Sequence, residues 1–167
     1  MNQIRVRLDE TGARTALVRG ANAPARPPDT VTVAPGVSRT VGPEGGTAPL
    51  FVTGEAPSGR TVREYDGREP RAAADHATGL VADRDPRAAW LCGRDRIRAW
   101  CGRGVAAMLE RRLCEAARDA DARLVVWTND YEPTSAGRDP TSGDCDPTGA
   151  DEESVAVEDR YDVVLDP

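Results

Sequence analysis

The stretch WCGRGVAAML, residues 100–109, sets a thiol and two glycines directly ahead of a helical apolar repeat. Three chemistries fit those residue types. Cys101 at the start of a helix would feel the positive end of the helix dipole, which depresses a thiol pKa and makes the sulfur nucleophilic. A metal would need partner ligands at short spacing. The four cysteines, Cys92, Cys101, Cys114 and Cys145, are separated by 8, 12 and 30 residues, with no CxxC and one histidine, His76. That spacing matches no common zinc pattern. Gly102 and Gly104 would let the backbone approach a ligand, and the first free N–H groups of the helix would point at it. A pyrophosphate is the natural occupant of such a turn. A tight turn that binds nothing is the plain alternative.

The elements that must position this turn follow from periodicity. Val105, Met108, Leu109, Leu113, Ala116, Ala117 and Ala120 recur at three- and four-residue spacing, which predicts an amphipathic helix of about four turns. Glu110, Arg111, Arg112, Glu115, Arg118 and Asp119 then fall largely on its other face, and Cys114 near the apolar one. The run LVVW within residues 122–130 predicts a buried central strand. Ahead of the turn, AWLC (residues 89–92) opens a further strand that would have to run through Arg94, Asp95 and Arg96. QIRVRL, residues 3–8, alternates apolar and polar, which predicts a half-buried strand, and the segment from Asp9 to Asn22 a short helix. TVTVA (30–34) reads as a strand, and residues 48–67 as a hairpin turning over 56–59. Residues 68–88 show no steady period and read as loop or weak helix. Residues 131–155, rich in Pro, Gly, Ser, Thr and acids, read as a long acidic loop, and DRYDVVLDP as a closing strand.

The run CGRGVAAMLERRLCEAARDADARLVVWTND, residues 101–130, resembles the central motif of the GNAT superfamily, the acyl-CoA-dependent N-acetyltransferases, whose signature is [Q/R]xxGx[G/A] followed by a helix and a buried strand. Gly104 and Ala106 fill the last two signature positions. Leu109, Leu113, Ala117 and Arg118 follow at the family's helix spacing, and LVVWTND resembles the next strand, ending at Asn129. QIRVRL is similar to the family's first strand, LFVTGEAPSGRTV to its second and third, and RYDVVLDP to its closing strand. The resemblance implies a GNAT-like mixed central sheet flanked by helices, spanning residues 1–167 as one domain. It implies acetyl-CoA as co-substrate, held by Cys101, Gly102, Arg103, Gly104, Val105, Ala106 and Asn129, and acetyl transfer to a primary amine on a small molecule or peptide. The amine must lose a proton to attack the thioester, and no residue stands out as the base.

Three departures accompany the match. Cys101 stands where the family has Gln or Arg, Arg94–Arg96 where its fourth strand is apolar, and the tyrosine that protonates the leaving thiolate in many members has no counterpart, since Tyr131 lies too close to Asn129. A catalytically inactive CoA-binding module, a degenerate copy of the gene, and a small α/β binding protein for another phosphate ligand or a protein partner therefore stand beside the enzyme. Family-like sequence in the other reading frames across residues 20–47, 66–98 and 132–152 would identify a degenerate copy.

Composition bounds the partners. All 22 basic residues are arginine, against 28 acids, for a net charge of −6. That sign and the interleaving of the arginines with acids argue against nucleic acid. The bias toward Ala, Gly, Pro, Arg and Asp suits a GC-rich genome and a salt-adapted, acidic surface. No apolar run approaches the ~20 residues of a membrane span, and no secretory signal follows Met1. The expected compartment is the cytoplasm, with a homodimer compatible with the chain. His76, in AAADHATGL, reads as a surface residue rather than a catalytic base. DCDPTGADEE, residues 144–153, offers oxygen ligands for Ca²⁺ without EF-hand spacing, so solvation is its expected role.

Overall fold

The computed structural model describes residues 3–24, 29–36, 48–56, 59–129 and 160–166. In chain order the elements are α1 (Gln3–Thr11), β1 (Thr15–Arg19), β2 (Thr30–Pro35), β3 (Leu50–Ala56), β4 (Gly59–Tyr65), α2 (Pro70–Arg84), β5 (Ala88–Leu91), α3 (Arg94–Cys101), α4 (Arg103–Asp119), β6 (Arg123–Thr128) and β7 (Val163–Leu165). The seven described strands form one mixed sheet in the order β4-β3-β2-β5-β6-β1-β7. Strands β2, β5, β6, β1 and β7 are parallel, while the β3–β4 hairpin extends the β2 edge in antiparallel fashion. The molecule is an α/β fold whose mixed sheet is flanked by helices.

The apolar alternation of the central strands sorts two cores. Leu17, Val31, Val33, Val52, Leu91, Leu124 and Val126 face α2, α3 and α4, where they meet Ala73, Ala77, Val81, Ile97, Leu109 and Leu113. Ala16, Val18, Trp90, Val125 and Trp127 face the other way and are covered by Ile4 and Leu8 of α1. Complete burial of a leucine such as Leu109 or Leu113 contributes about 2 kcal/mol each. The Trp127 indole N–H donates to the Gly20 carbonyl at 3.0 Å, which fastens β6 to the end of β1. Besides its pairing with β1, strand β7 is anchored by one side chain. The backbone N–H groups of Arg14 and Thr15 each donate to Asp162 Oδ2 at 2.9 Å, and the Asp162 N–H donates to Thr15 Oγ1 at 3.0 Å. These backbone donors hold the Asp162 carboxyl below the usual carboxylate range.

Several expectations are met. The four-turn helix is α4, LVVW lies in β6, residues 48–67 contain the β3–β4 hairpin, TVTVA lies in β2, and the closing strand is β7. Others are corrected. QIRVRL is helical: Ile4 and Leu8, four apart, share the buried face of α1, while Val6 between them is 41% exposed. Apolar residues at spacing two over a short run serve a helix as well, because alternate pairs also lie four apart. The helix expected after Asp9 is instead strand β1, since TALV is buried residue after residue and Gly12, at a φ of +65°, ends α1. Residues 68–88 contain the fifteen-residue α2, nucleated by Pro70 in its first turn, with an alanine face that lies close against α4. Nor does the strand opened by AWLC run on through the arginines. It ends at Leu91, Gly93 adopts a φ of +64°, and Arg94–Arg96 begin α3. The acidic loop at 131–155, with Cys145 and Tyr131, lies outside the described residues. No described helix is long and apolar enough to cross a membrane.

Candidate functional site

Parallel strands direct their carboxyl ends to one edge of the sheet, and the candidate residues lie along that edge. Strand β1 leaves it toward β2, whereas β6, its neighbour, leaves it toward β7 on the opposite side. The diverging pair beside which open α/β sheets take ligands is β2, which leads to β3, and β5, which leads to β6, whereas the connections of β1 and β6 run across each other. At the end of β6 the Gly20 N–H donates to the Thr128 carbonyl at 3.1 Å. Asn129 follows directly, its backbone N–H donated to Asp95 Oδ1 at 3.1 Å. Asp95 belongs to the first turn of α3, so the helix places a carboxylate over the end of β6.

Helix α3 runs from the end of β6 toward the β2–β3 side of the edge, where Cys101 packs against the carbonyl of Ala48. Its eight residues span about 12 Å. The GRG turn is the single-residue elbow between α3 and α4. It therefore follows a helix, not a strand as its glycines suggested, and it lies one helix length from Asn129. Gly102 has a φ of +95°, which only glycine adopts without strain. Its N–H donates to the Arg98 carbonyl at 3.1 Å, and the Ala106 N–H returns to the Gly102 carbonyl at 3.3 Å. Two of the N–H groups expected to cradle a pyrophosphate, those of Gly102 and Ala106, are thus used within the fold. Gly104 and Val105 in the first turn of α4 keep theirs free of any helical acceptor, and no side chain among the described residues caps the helix.

Gly104 is informative in another way. A Cβ built on it would meet nothing within 4 Å, and its backbone is helical, so the described fold has no need of glycine there. Glycine in a helix costs up to about 1 kcal/mol relative to alanine. A close approach by something outside the chain would give that cost a purpose.

Cys101 is given no activating position. It ends α3 rather than heading α4, and burial pushes its thiol above the usual cysteine range. Cys114, packed beside the core as expected, is raised for the same first reason.

Sequence reasoning missed a buried polar cluster beneath α3. Glu110 belongs to the buried stripe Ala106, Leu109, Glu110, Leu113, Ala117 of α4 instead of the outer face to which its charge assigned it. Its Oε2 accepts from Arg94 Nε at 2.7 Å, and its Oε1 accepts from the Tyr161 hydroxyl. Tyr161 is raised well above the usual phenol range by burial and by the Glu110 charge. The signal was positional: Ala106, Glu110, Leu113 and Ala117 keep the four-three-four spacing of a helix seam. This cluster joins α3, α4 and the approach to β7, and it orients the helix that carries Asp95.

Strand β5 pairs with β6 over its whole length, from Ala88 with Arg123 to Leu91 with Val126. Strand β6 continues two residues further, through Trp127 and Thr128, beyond its last β5 partner. Compared with family models, with curated proteins and with solved structures, the chain matches none.

Proposed function

We propose that this protein binds a phosphate-bearing ligand of the acyl-CoA class along α3. The phosphates would rest on the uncapped N–H groups of Gly104 and Val105, and the acyl end would reach toward Asn129 and Asp95. Gly104 carries the reading: it lies in the first turn of α4 beside those N–H groups, with open space where a Cβ would stand. Because β5 is paired to β6 along its whole length, the arm would pass over α3 instead of between strands. Binding without turnover is the form that this favours. The inactive CoA-binding module and the binder of another phosphate ligand differ only in which ligand stabilises the fold.

Acetyl transfer from acetyl-CoA to a primary amine is the second reading, favoured by the position of Asp95. Its carboxylate lies over the end of β6 from the first turn of α3, about one helix length from the phosphate turn, and would take the proton of an attacking amine. Thermal-shift measurements with acetyl-CoA, CoA and ATP, followed by thiol release over a panel of amines, separate these readings. Stabilisation by CoA species without thiol release supports the binding module, and thiol release that disappears in Asp95→Asn supports transfer. Stabilisation by ATP alone points to a different phosphate ligand. No shift with any of the three removes the turn as a phosphate site.

A further inference from the structure

On the helix-covered side of the sheet, α2 and β4 bring together a second set of charges. Strand alternation puts Thr61, Arg63 and Tyr65 of β4 on the face toward α2, with Val62 and Glu64 turned away. The Arg63 guanidinium lies over the Tyr65 ring, 5.4 Å from its centroid. His76 of α2 meets the same ring, its centroid 5.7 Å from that of Tyr65. Two turns further along α2, Arg84 reaches back under the hairpin to Gly54.

Two features mark this groove as built for something the described chain does not supply. First, His76 Nδ1 and Arg84 Nη1 are both buried and have no hydrogen-bond partner among the described residues. A buried arginine N–H without an acceptor is costly, and a chain with six more acids than bases had carboxylates to place there. The nearby acids on each packed element are instead engaged or directed elsewhere: Asp75 pairs with Arg112 of α4 at 2.5 Å and Glu55 of β3 with Arg60 at 3.7 Å. Asp83 on α2 is exposed, and Glu64 points to the opposite face of β4. Second, Gly54 sits in the interior of β3, where glycine weakens a strand. A Cβ at that position would lie 3.1 Å from Arg84 Nη1 and 3.3 Å from Leu80 Cδ1. The glycine makes the room in which the arginine lies.

We propose that the α2–β4 groove is an oxyanion-binding site in which Arg84, Arg63 and His76 recognise a phosphate or carboxylate group, with Tyr65 and Leu80 as its apolar floor. His76 registers the local field. Burial, Arg63 and Arg84, in that order, hold its pKa below the usual histidine value, and no acid among the described residues opposes them. An anion seated between the arginines would reverse that balance. This site is independent of the Gly104 turn, and either can fail without the other.

His76 is the single histidine of the chain, so its imidazole resonances need no assignment. Its titration is followed by NMR on the full-length protein from about pH 5 to about pH 8, in sodium chloride, sodium sulfate and sodium acetate at matched ionic strength. The expected result is a saturable rise of the His76 pKa by about 0.5 or more in sulfate or acetate relative to chloride. The rise is lost in Arg84→Gln, and the anion that saturates at lower concentration identifies phosphate-like or carboxylate chemistry. Arg63→Gln, on the exposed edge strand, serves as the second variant should Arg84→Gln fail to fold, and it should weaken the same response. Identical titration curves in the three salts, or an anion response that survives both substitutions, would overturn the proposal.

Discussion

Substituting Gly104 by alanine should move stability and binding in opposite directions. The added Cβ meets no atom within 4 Å, and the backbone is already helical, so the substitution introduces neither clash nor strain. Gly104 is the second residue of α4, where alanine gains helix propensity and removes freedom from the unfolded chain. Together these should stabilise by about 0.5–1 kcal/mol. For a chain of this size the melting temperature should then rise by roughly 1–4 °C. If phosphates rest on this turn, the same methyl group stands in their approach. Affinity should fall at least about tenfold, or 1.4 kcal/mol. Gly79, mid-helix in α2, likewise has open space where a Cβ would stand, with nothing within 4 Å, and serves as the control. Gly79→Ala should stabilise by about 1 kcal/mol and leave binding unchanged. Urea unfolding and calorimetric titration with CoA on both variants provide the measurement. Gly104→Ala that is more stable and binds CoA as the parent does would refute the argument that ligand approach explains this glycine.

Other consequences follow from the polar contacts. Glu110→Ala leaves the buried Arg94 charge and the Tyr161 hydroxyl without their acceptor and should cost about 3–5 kcal/mol, whereas Tyr161→Phe, which keeps the ion pair, should cost about 1–2 kcal/mol; urea midpoints of the two variants test the order. Asp162 binds its proton less readily folded than unfolded. Its contribution is therefore present at neutral pH and lost as the pH falls through and below the ordinary aspartate range, about pH 4. The stability gap between the parent and Asp162→Asn should close on acidification, and a gap that persists unchanged would contradict the clamp on Arg14 and Thr15. For His76 the folded pKa lies below that of the unfolded chain, so the unfolded state takes up the proton first. Stability should fall as the pH drops below about 6.5. His76→Gln should remove that part of the slope in a pH series of urea unfolding curves.

How far the sequence carried depended on whether a segment's pattern admitted one period or two. The repeat of α4 runs through seventeen residues and allows no alternative, and LVVW in β6 and the β3–β4 hairpin are similarly unambiguous. QIRVRL is short enough that Ile4, Val6 and Leu8 satisfy both periods, and only a partner could choose. The sheet face formed by Val18, Trp90, Val125 and Trp127 needed a cover, and the Ile4–Leu8 face of α1 supplies it. The strand opened by AWLC showed no end before the charged run Arg94–Arg96, and the turn at Gly93 was needed to show that the chain becomes α3.

The candidate site divides in the same manner. Residue types alone determined that the GRG turn opens a helix with free N–H groups, because glycine's conformational freedom and the unpaired first turn of a helix are local properties. Tertiary structure decided the rest. It placed that turn after a helix, buried Cys101 so that its thiol is raised rather than activated, and set Asn129 beside Asp95 a helix length away. It also turned Glu110 inward onto Arg94 and Tyr161, and left Arg84 beneath Gly54 with no acid among the described residues to meet its Nη1. These outcomes depend on which distant segments share a sheet edge, and strand order is decided by packing across the whole chain, which no local pattern encodes.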